Sequence, residues 1–340
     1  MKRLRILLLI NKGLEPPKTI EGLNPDEASA APWKTEYDVL TTLTAGGHDL
    51  RVLSVYDNLA AVQQVIEEHK PEIIFNLIEE FGGRAVWDHY IVSHLEVLGQ
   101  AYTGCNPRGL MVARDKGLSK KLLAYHGIGS PQFTVFRRGW PVRRPRRLRF
   151  PLFVKGLLED ASQGISQASL VRDDESLVKR VAFVHEHVGD AIVEEFVDGR
   201  EIYVSILGND RLEVFPLREL IFEQKPPDAP LIATARTKWN LAYQRKWGVM
   251  SREAVDLPPE LARYLGRETR RIYQVLGLSG YARLDFRLTP KGAPYFLEAN
   301  PNPQLADGED FAESAKKRGL SYERLLERII NLGLAWRVPF

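Results

Sequence analysis

The chain has 340 residues, 44% of them hydrophobic, enough to bury two or three modest cores, so a folded multidomain protein is expected and disorder is excluded. Its 47 basic and 44 acidic side chains leave a formal charge of +3, nearly balanced along the sequence, which argues against a nucleic-acid-binding surface. The single cysteine, Cys105, rules out an internal disulfide and paired-cysteine metal spacing, and fits a reducing, cytoplasmic setting.

The apolar run Ile6 to Ile10 is too short for a signal-peptide core or a membrane span and reads as a buried first strand, with no membrane association expected. Strand and helix signals then alternate: "LRILLLI", a helix from Glu36, "LRVLSV", a helix from Ala60 to Lys70, and "EIIFNLI". Such alternation predicts a parallel sheet with helical crossovers, whose strand ends face a ligand cleft. At Asp115 a new unit begins with an N-cap, apolar Leu118, Leu122 and Leu123 at helical spacing, and Gly127 as a stop. It continues through the strand "PLFVKGL", a Ser/Gly-bearing loop, the helix "DDESLVKRVAFVHEHV" and the strand "AIVEEFV". The basic run Arg137 to Arg149 is broken by prolines and reads as a solvated loop rather than a polyanion site. Asp198-Gly199 reads as a turn into a third unit with strands "EIYVSILG" and "RLEVFPLREL" and helices over Pro258 to Leu276 and Tyr322 to Leu332. The expected fold is therefore α/β and α+β, in three domains spanning 1–105, 106–198 and 199–340.

The most informative stretch is "GYARLDFRLTPKGAPYFLEANPNP", two strand-like runs flanking Lys291-Gly292. With a two-residue turn there, counting outward sets Asp285 opposite Glu298 and Arg283 opposite Asn300, on one face of the hairpin. Directly opposed side chains have Cβ atoms about 4.5–5.5 Å apart, so two carboxylates call for a cation between them. Asp, Glu and an Asn amide are oxygen ligands suited to Mg²⁺. A one-residue bulge would break this pairing. For phosphate, the chain offers Lys116, Lys155 and Lys238. Lys155 lies in an otherwise apolar strand, where a snorkelling edge lysine gives the same pattern. The loop after it carries Ser162, Gly164 and Ser166, small enough for backbone amides to approach phosphate, although neither "GxxxxGK[ST]" nor "GxGxxG" is present.

Taken in order, "FNLIEE…LEVLGQAYTG", "RDKGLSK", "PLFVKGLLEDASQGIS", "IVEEFVDGREIYVSILG", "TARTKWN", "GYARLDFRL" and "FLEANPNP" resemble the ATP-grasp superfamily, and within it the D-alanine:D-alanine ligases, over most of the chain from Ile73 to Asn302. The resemblance implies an ATP-grasp fold behind an N-terminal parallel-sheet domain, with ATP and Mg²⁺ (or Mn²⁺) as cofactors, a carboxylate and an amine as small-molecule substrates, and a homodimer. Lys116 and Lys155 would contact ATP phosphates under the loop holding Ser162 and Gly164. Glu194, Glu195 and Val197 would line the adenine pocket, Glu201 would hold ribose, and Lys238 would reach the γ-phosphate. Asp285, Glu298 and Asn300 fall on the family's Mg²⁺ ligands, and Arg283 on the arginine that stabilises the tetrahedral intermediate.

The chain departs from the family at its substrate end. The N-terminal Gly-rich Ser-x-Glu motif and the His-Gly…Gly-Glu-Asp-Gly segment are replaced by "NKGLEPPKTIEGLNPDEASAAPWKTEYDV" and "EEFGGRAVWDHY". Ala161 stands for the first serine of the Glu-Gly-Ser-Ser loop, and "NPQL" from Asn302 replaces Ser-Pro-Gly-Met. A substrate other than D-alanine is expected, with Arg84, Trp87, Asp88, His89 and Asn302 as candidate substrate residues. The acidic loop with Asp307, Glu309 and Asp310 suggests a nucleophile carrying an extra positive charge. The alternative is a kinase-like or regulatory ATP-binding protein that forms no amide.

Overall fold

The computed structural model describes residues 2–159, 164–224, 232–234, 237 and 240–338. In chain order its elements are β1 (Arg5–Asn11), α1 (Pro25–Ser29), α2 (Lys34–Ala45), β2 (Asp49–Val55), α3 (Leu59–His69), β3 (Ile73–Asn76), α4 (Asp88–Val97), α5 (Pro107–Arg114), α6 (Lys116–Tyr125), β4 (Phe133–Phe136), β5 (Leu152–Gly156), β6 (Leu170–Val171), α7 (Asp174–His187), β7 (Ala191–Glu195), β8 (Arg200–Leu207), β9 (Glu213–Val214) and β10 (Arg218–Phe222). They continue with α8 (Leu241–Trp247), β11 (Val249–Glu253), α9 (Pro259–Val275), β12 (Tyr281–Leu288), β13 (Pro294–Pro301), α10 (Asp310–Lys317) and α11 (Tyr322–Ala335).

Three sheets organise these elements. The first is parallel, in the order β2-β1-β3, as the N-terminal alternation predicts. The strand order reverses between β1 and β3, which opens a crevice at their carboxyl ends. The second is antiparallel, β4-β7-β5-β6, covered on one face by α7 through Leu177, Val181 and Val184. The third is β11-β10-β8-β12-β13, with β9 added to β8.

Packing crosses the 105/106 and 198/199 divisions. One core joins Leu7 and Leu9 of β1 to Ile202, Val204, Leu284 and Phe286 of the third sheet, and a second joins Ile6 and Ile10 to Phe311, Leu326 and Ile330 of α10 and α11. The first and third sheets therefore share buried surface. Among the described residues, no helix is long and apolar enough to cross a membrane.

Candidate active site at the metal hairpin

The hairpin of β12 and β13 pairs Asp285 with Glu298 and Arg283 with Asn300. The expected loop, however, is not two residues long. Thr289 N donates to Ala293 O at 3.0 Å and Gly292 N to Thr289 O at 2.8 Å, with Gly292 at φ +79°, so Pro290, Lys291 and Gly292 form a three-residue loop. That loop pairs Phe286 with Phe296, and a bulge at Leu297 restores the offset before Glu298.

Cross-strand registers place Arg218, Tyr203, Asp285 and Glu298 in a single row over β10, β8, β12 and β13. Arg283 grips Asp285 with two bonds, Nε to Oδ1 at 2.8 Å and Nη2 to Oδ2 at 2.9 Å, while Asn300 Nδ2 reaches Oδ2 at 3.0 Å. The guanidinium of Arg283 lies 4.3 Å over the Tyr203 ring, with Nη1 3.7 Å from Asp310. Burial pushes the Asp285 carboxyl up to about 6, against the pull of Arg283 and with a further push from Glu298. Among the described residues no three of His, Cys, Asp and Glu cluster as metal ligands. The set offered is two facing carboxylates beside an amide whose Nδ2 meets Asp285, and the carboxylate oxygens fit a hard divalent cation.

Three lysines approach from the other wall. Lys116 begins α6, which Asp115 caps through the Leu118 amide at 2.8 Å, and its Nζ lies 3.7 Å from Glu298 and bonds the Glu159 carbonyl. Lys155 of β5 lies 3.7 Å from Glu298 and 3.3 Å from Glu194. Lys120, one turn beyond Lys116, is fully buried; its Nζ sits 3.0 Å from Glu194 and donates to the Phe296 carbonyl at 3.2 Å. Burial lowers Lys120 to about 8. Burial also works against the charged forms of Glu194 and Lys155, but Lys120 and Lys155 together hold Glu194 below its usual value, and Glu194 with Glu298 holds Lys155 above its own. Lys120 was missed in the sequence, where the signal was its i+4 spacing from Lys116.

The remaining candidates divide. Glu201 is buried on the same face of the third sheet, paired with Arg287 at 2.9 Å and accepting from the Tyr203 hydroxyl at 3.0 Å. Glu195 points away from Glu194, as alternation requires, and accepts from the Arg149 amide at 2.8 Å; Val197 is half-buried in the crossing to β8. Gly164 adopts φ +71° and its carbonyl accepts from Arg180. Ser162 and Lys238 lie outside the described residues.

In the substrate segment, Arg84 stacks on Trp87 at 4.4 Å and is exposed, whereas Asp88 is buried on Arg114 at 2.5 Å with His89 3.9 Å away. Asp88 thus serves an ion pair that ties α4 to α5. Asn302, at φ +52°, accepts from the Cys105 amide at 2.8 Å and borders a small cleft with Glu36, Asn76, Glu79 and Tyr281. Asp310 is taken up by arginines, Arg218 at 2.9 Å and Arg283, and does not stand as a free acid for a cationic nucleophile. Arg218 was also missed; the residue is 9% exposed.

Residues 122–331 match the model of the D-ala D-ala ligase C-terminus family, well over half of the chain. The chain belongs to this family. It is an ATP-grasp ligase of the type that forms C–N bonds, in a family that uses ATP. An uncharacterized protein of Sinorhizobium fredii is 33% identical over 76% of this chain and 74% of its own length. The D-alanine–D-alanine ligase of Carboxydothermus hydrogenoformans is 29% identical over 81% of this chain and 86% of its own. The crystal structure of D-alanine–D-alanine ligase from Bacillus anthracis complexed with ATP superposes with a TM-score of 0.72 at 22% identity, covering 98% of each chain, which establishes the ATP-grasp fold.

Proposed function

We propose that the chain uses MgATP to convert an acid other than D-alanine to an acyl phosphate, which an amine attacks to give an amide, ADP and phosphate. The observation that carries this reading is the facing pair Asp285 and Glu298, with Lys116 and Lys155 each 3.7 Å from Glu298 and Arg283 held beside Asp285. A carboxylate is a poor electrophile because oxide must leave, while phosphate leaves readily.

Bound between Asp285, Glu298 and Asn300, Mg²⁺ would supply charge neutralisation to the phosphates. Lys116 and Lys155 add fixed positive charge in a water-poor cleft, where it acts most strongly. Lys238 is assigned to the γ-phosphate, Ser162 and Gly164 to the covering loop, Glu194, Glu195 and Val197 to adenine, and Glu201 to ribose. Arg283 offers donors where negative charge develops during amine attack. The replaced N-terminal and post-hairpin motifs support a different substrate, with Arg84, Trp87, His89 and Asn302 on its side; Asp88 supports that loop from within.

The test is ADP release against pooled carboxylates and amines. Release that requires both an acid and an amine is expected, and Glu298→Gln should lower it by about 10²-fold or more. Release needing the acid alone would indicate a kinase, and absence of MgATP binding would refute the reading.

A further inference from the structure

The run Arg137 to Arg149 holds seven arginines and no acid, and the catalytic reading leaves it unused. Beside it lies a groove of about 890 Å³. Ligand clefts commonly measure about 300–1,000 Å³. One wall is the outer face of α6. Lys116, Lys120 and Leu123 share the buried face of that helix, whereas Leu118 and Lys121 are exposed on the opposite one and line the groove. The groove therefore lies behind α6 from the lysines that meet Glu298 and Glu194.

The other wall is β4, an edge strand of the second sheet. Glu195 N donates to Gln132 O, so the alternation of an antiparallel ladder turns the amides and carbonyls of Phe133 and Val135 away from β7, toward the groove. Arg147 Nη2 caps the Phe133 carbonyl at 3.3 Å. Among the described residues three cations line the groove, Lys121, Arg137 and Arg147. Among the described residues that line it the one acid is Asp115, whose carboxylate caps α6. Arg144 is anchored on Asp174 at 2.8 Å and on the Leu148 carbonyl, which fixes the arginine-rich segment alongside.

We propose that this groove docks an extended acidic segment of a partner polypeptide, added as a fifth strand on the free edge of β4. Main-chain bonds to Val135 supply affinity, and acidic side chains at alternate positions meet Lys121, Arg137 and Arg147. The edge itself is four residues long, so a segment of similar length fills it. The proposal stands whether or not the catalytic reading holds.

The probe is a fluorescein-labelled hexapeptide of alternating Val and Glu, titrated with the full chain and followed by anisotropy. Three comparisons are made: a peptide of equal charge with a central proline, a Val/Lys peptide, and the double variant Lys121→Glu/Arg137→Glu, both exposed positions. Proline removes a ladder donor, so its peptide should bind about tenfold more weakly or worse. The double variant should lose about tenfold or more in affinity at low salt. Equal binding of the proline peptide would show an anion patch without strand addition and overturn the proposal. So would full displacement of the peptide by equimolar tripolyphosphate. Sedimentation of the peptide-free protein completes the test: a dimer that the double variant converts to monomer would mean that a second copy holds the groove, and the proposal falls.

Discussion

Replacing Glu36 by glutamine should stabilise the protein at alkaline pH and leave it unchanged in acid. Glu36 lies in the first turn of α2, 3% exposed, and among the described residues its Oε2 has no hydrogen-bond partner. Burial, aided by the charge of Glu79 and opposed by a backbone hydrogen bond, pushes its carboxyl from 4.5 up to about 7. The nearby cation Lys34 is engaged with Asp38. Because the folded pKa is raised, this acid contributes stability below pH 4.5 that is lost as pH climbs to 7. The rise from 4.5 to about 7, at about 1.36 kcal/mol per pH unit, sets a ceiling of about 3.4 kcal/mol, and relaxation around the charge brings the expected gain for Glu36→Gln at pH 8 to about 1.5–3 kcal/mol. At pH 4.5 the two proteins should agree within about 0.5 kcal/mol. Urea unfolding of both at pH 4.5, 6 and 8 measures the difference. Equal stability across the range, or a variant less stable at pH 8, would refute the reasoning that Glu36 is buried without a counter-charge.

Lys120→Met should destabilise by about 2–4 kcal/mol, less than a fully orphaned buried acid because Lys155 still serves Glu194, and Lys120→Met/Glu194→Gln should recover at least about 1 kcal/mol in denaturant melts. Gly199→Ala should cost about 3–5 kcal/mol or abolish soluble expression, since Gly199 has φ +142° and an added Cβ would sit 1.7 Å from the Leu288 carbonyl oxygen. Arg84→Ala with His89→Ala should raise KM for the acid or amine substrate while leaving ATP affinity, measured by isothermal titration, unchanged; unaltered turnover at every substrate concentration would remove both residues from the substrate side.

Residues whose partners lie nearby in sequence were legible, and those whose partners lie far away were not. The caps and apolar spacing of α6 and α7 are local, as is the alternation of β1 to β3. The third strand signal "RLEVFPLREL" divides into β9 and β10 around Phe215 and Pro216, and the inward face of Arg218 follows from β8, whose Tyr203 lies opposite. No local pattern announces that neighbour. The helix expected from Glu36 begins at Lys34, and its local spacing does not show that Glu36 faces inward. Glu36 is buried because α2 begins over the carboxyl ends of the parallel strands, beside Asn76 and the Asn302 loop. Helices α4 and α5 went unread because their polar residues meet distant polar partners: Asp88 takes Arg114, and Asn106, ahead of α5, donates to the Gly277 carbonyl at 2.8 Å.

The metal hairpin shows why a correct pairing can follow from an incorrect turn. In an unbroken strand Phe296, Glu298 and Asn300 share one face, and a two-residue loop with regular pairing would set all three among the charges. Phe296 is instead 1% exposed, edge-on to Phe286 at 6.1 Å in the core, while Glu298 stands opposite Asp285. Residues two apart can face opposite ways only if one extra residue lies between them, and the bulge at Leu297 is that residue. The longer loop shifts the pairing by one and the bulge shifts it back, so Asp285 meets Glu298 under either count. An apolar residue in phase with two polar ones in a strand is thus a sequence sign of a bulge, and here it separates the hairpin's packed end from the end that carries the charges.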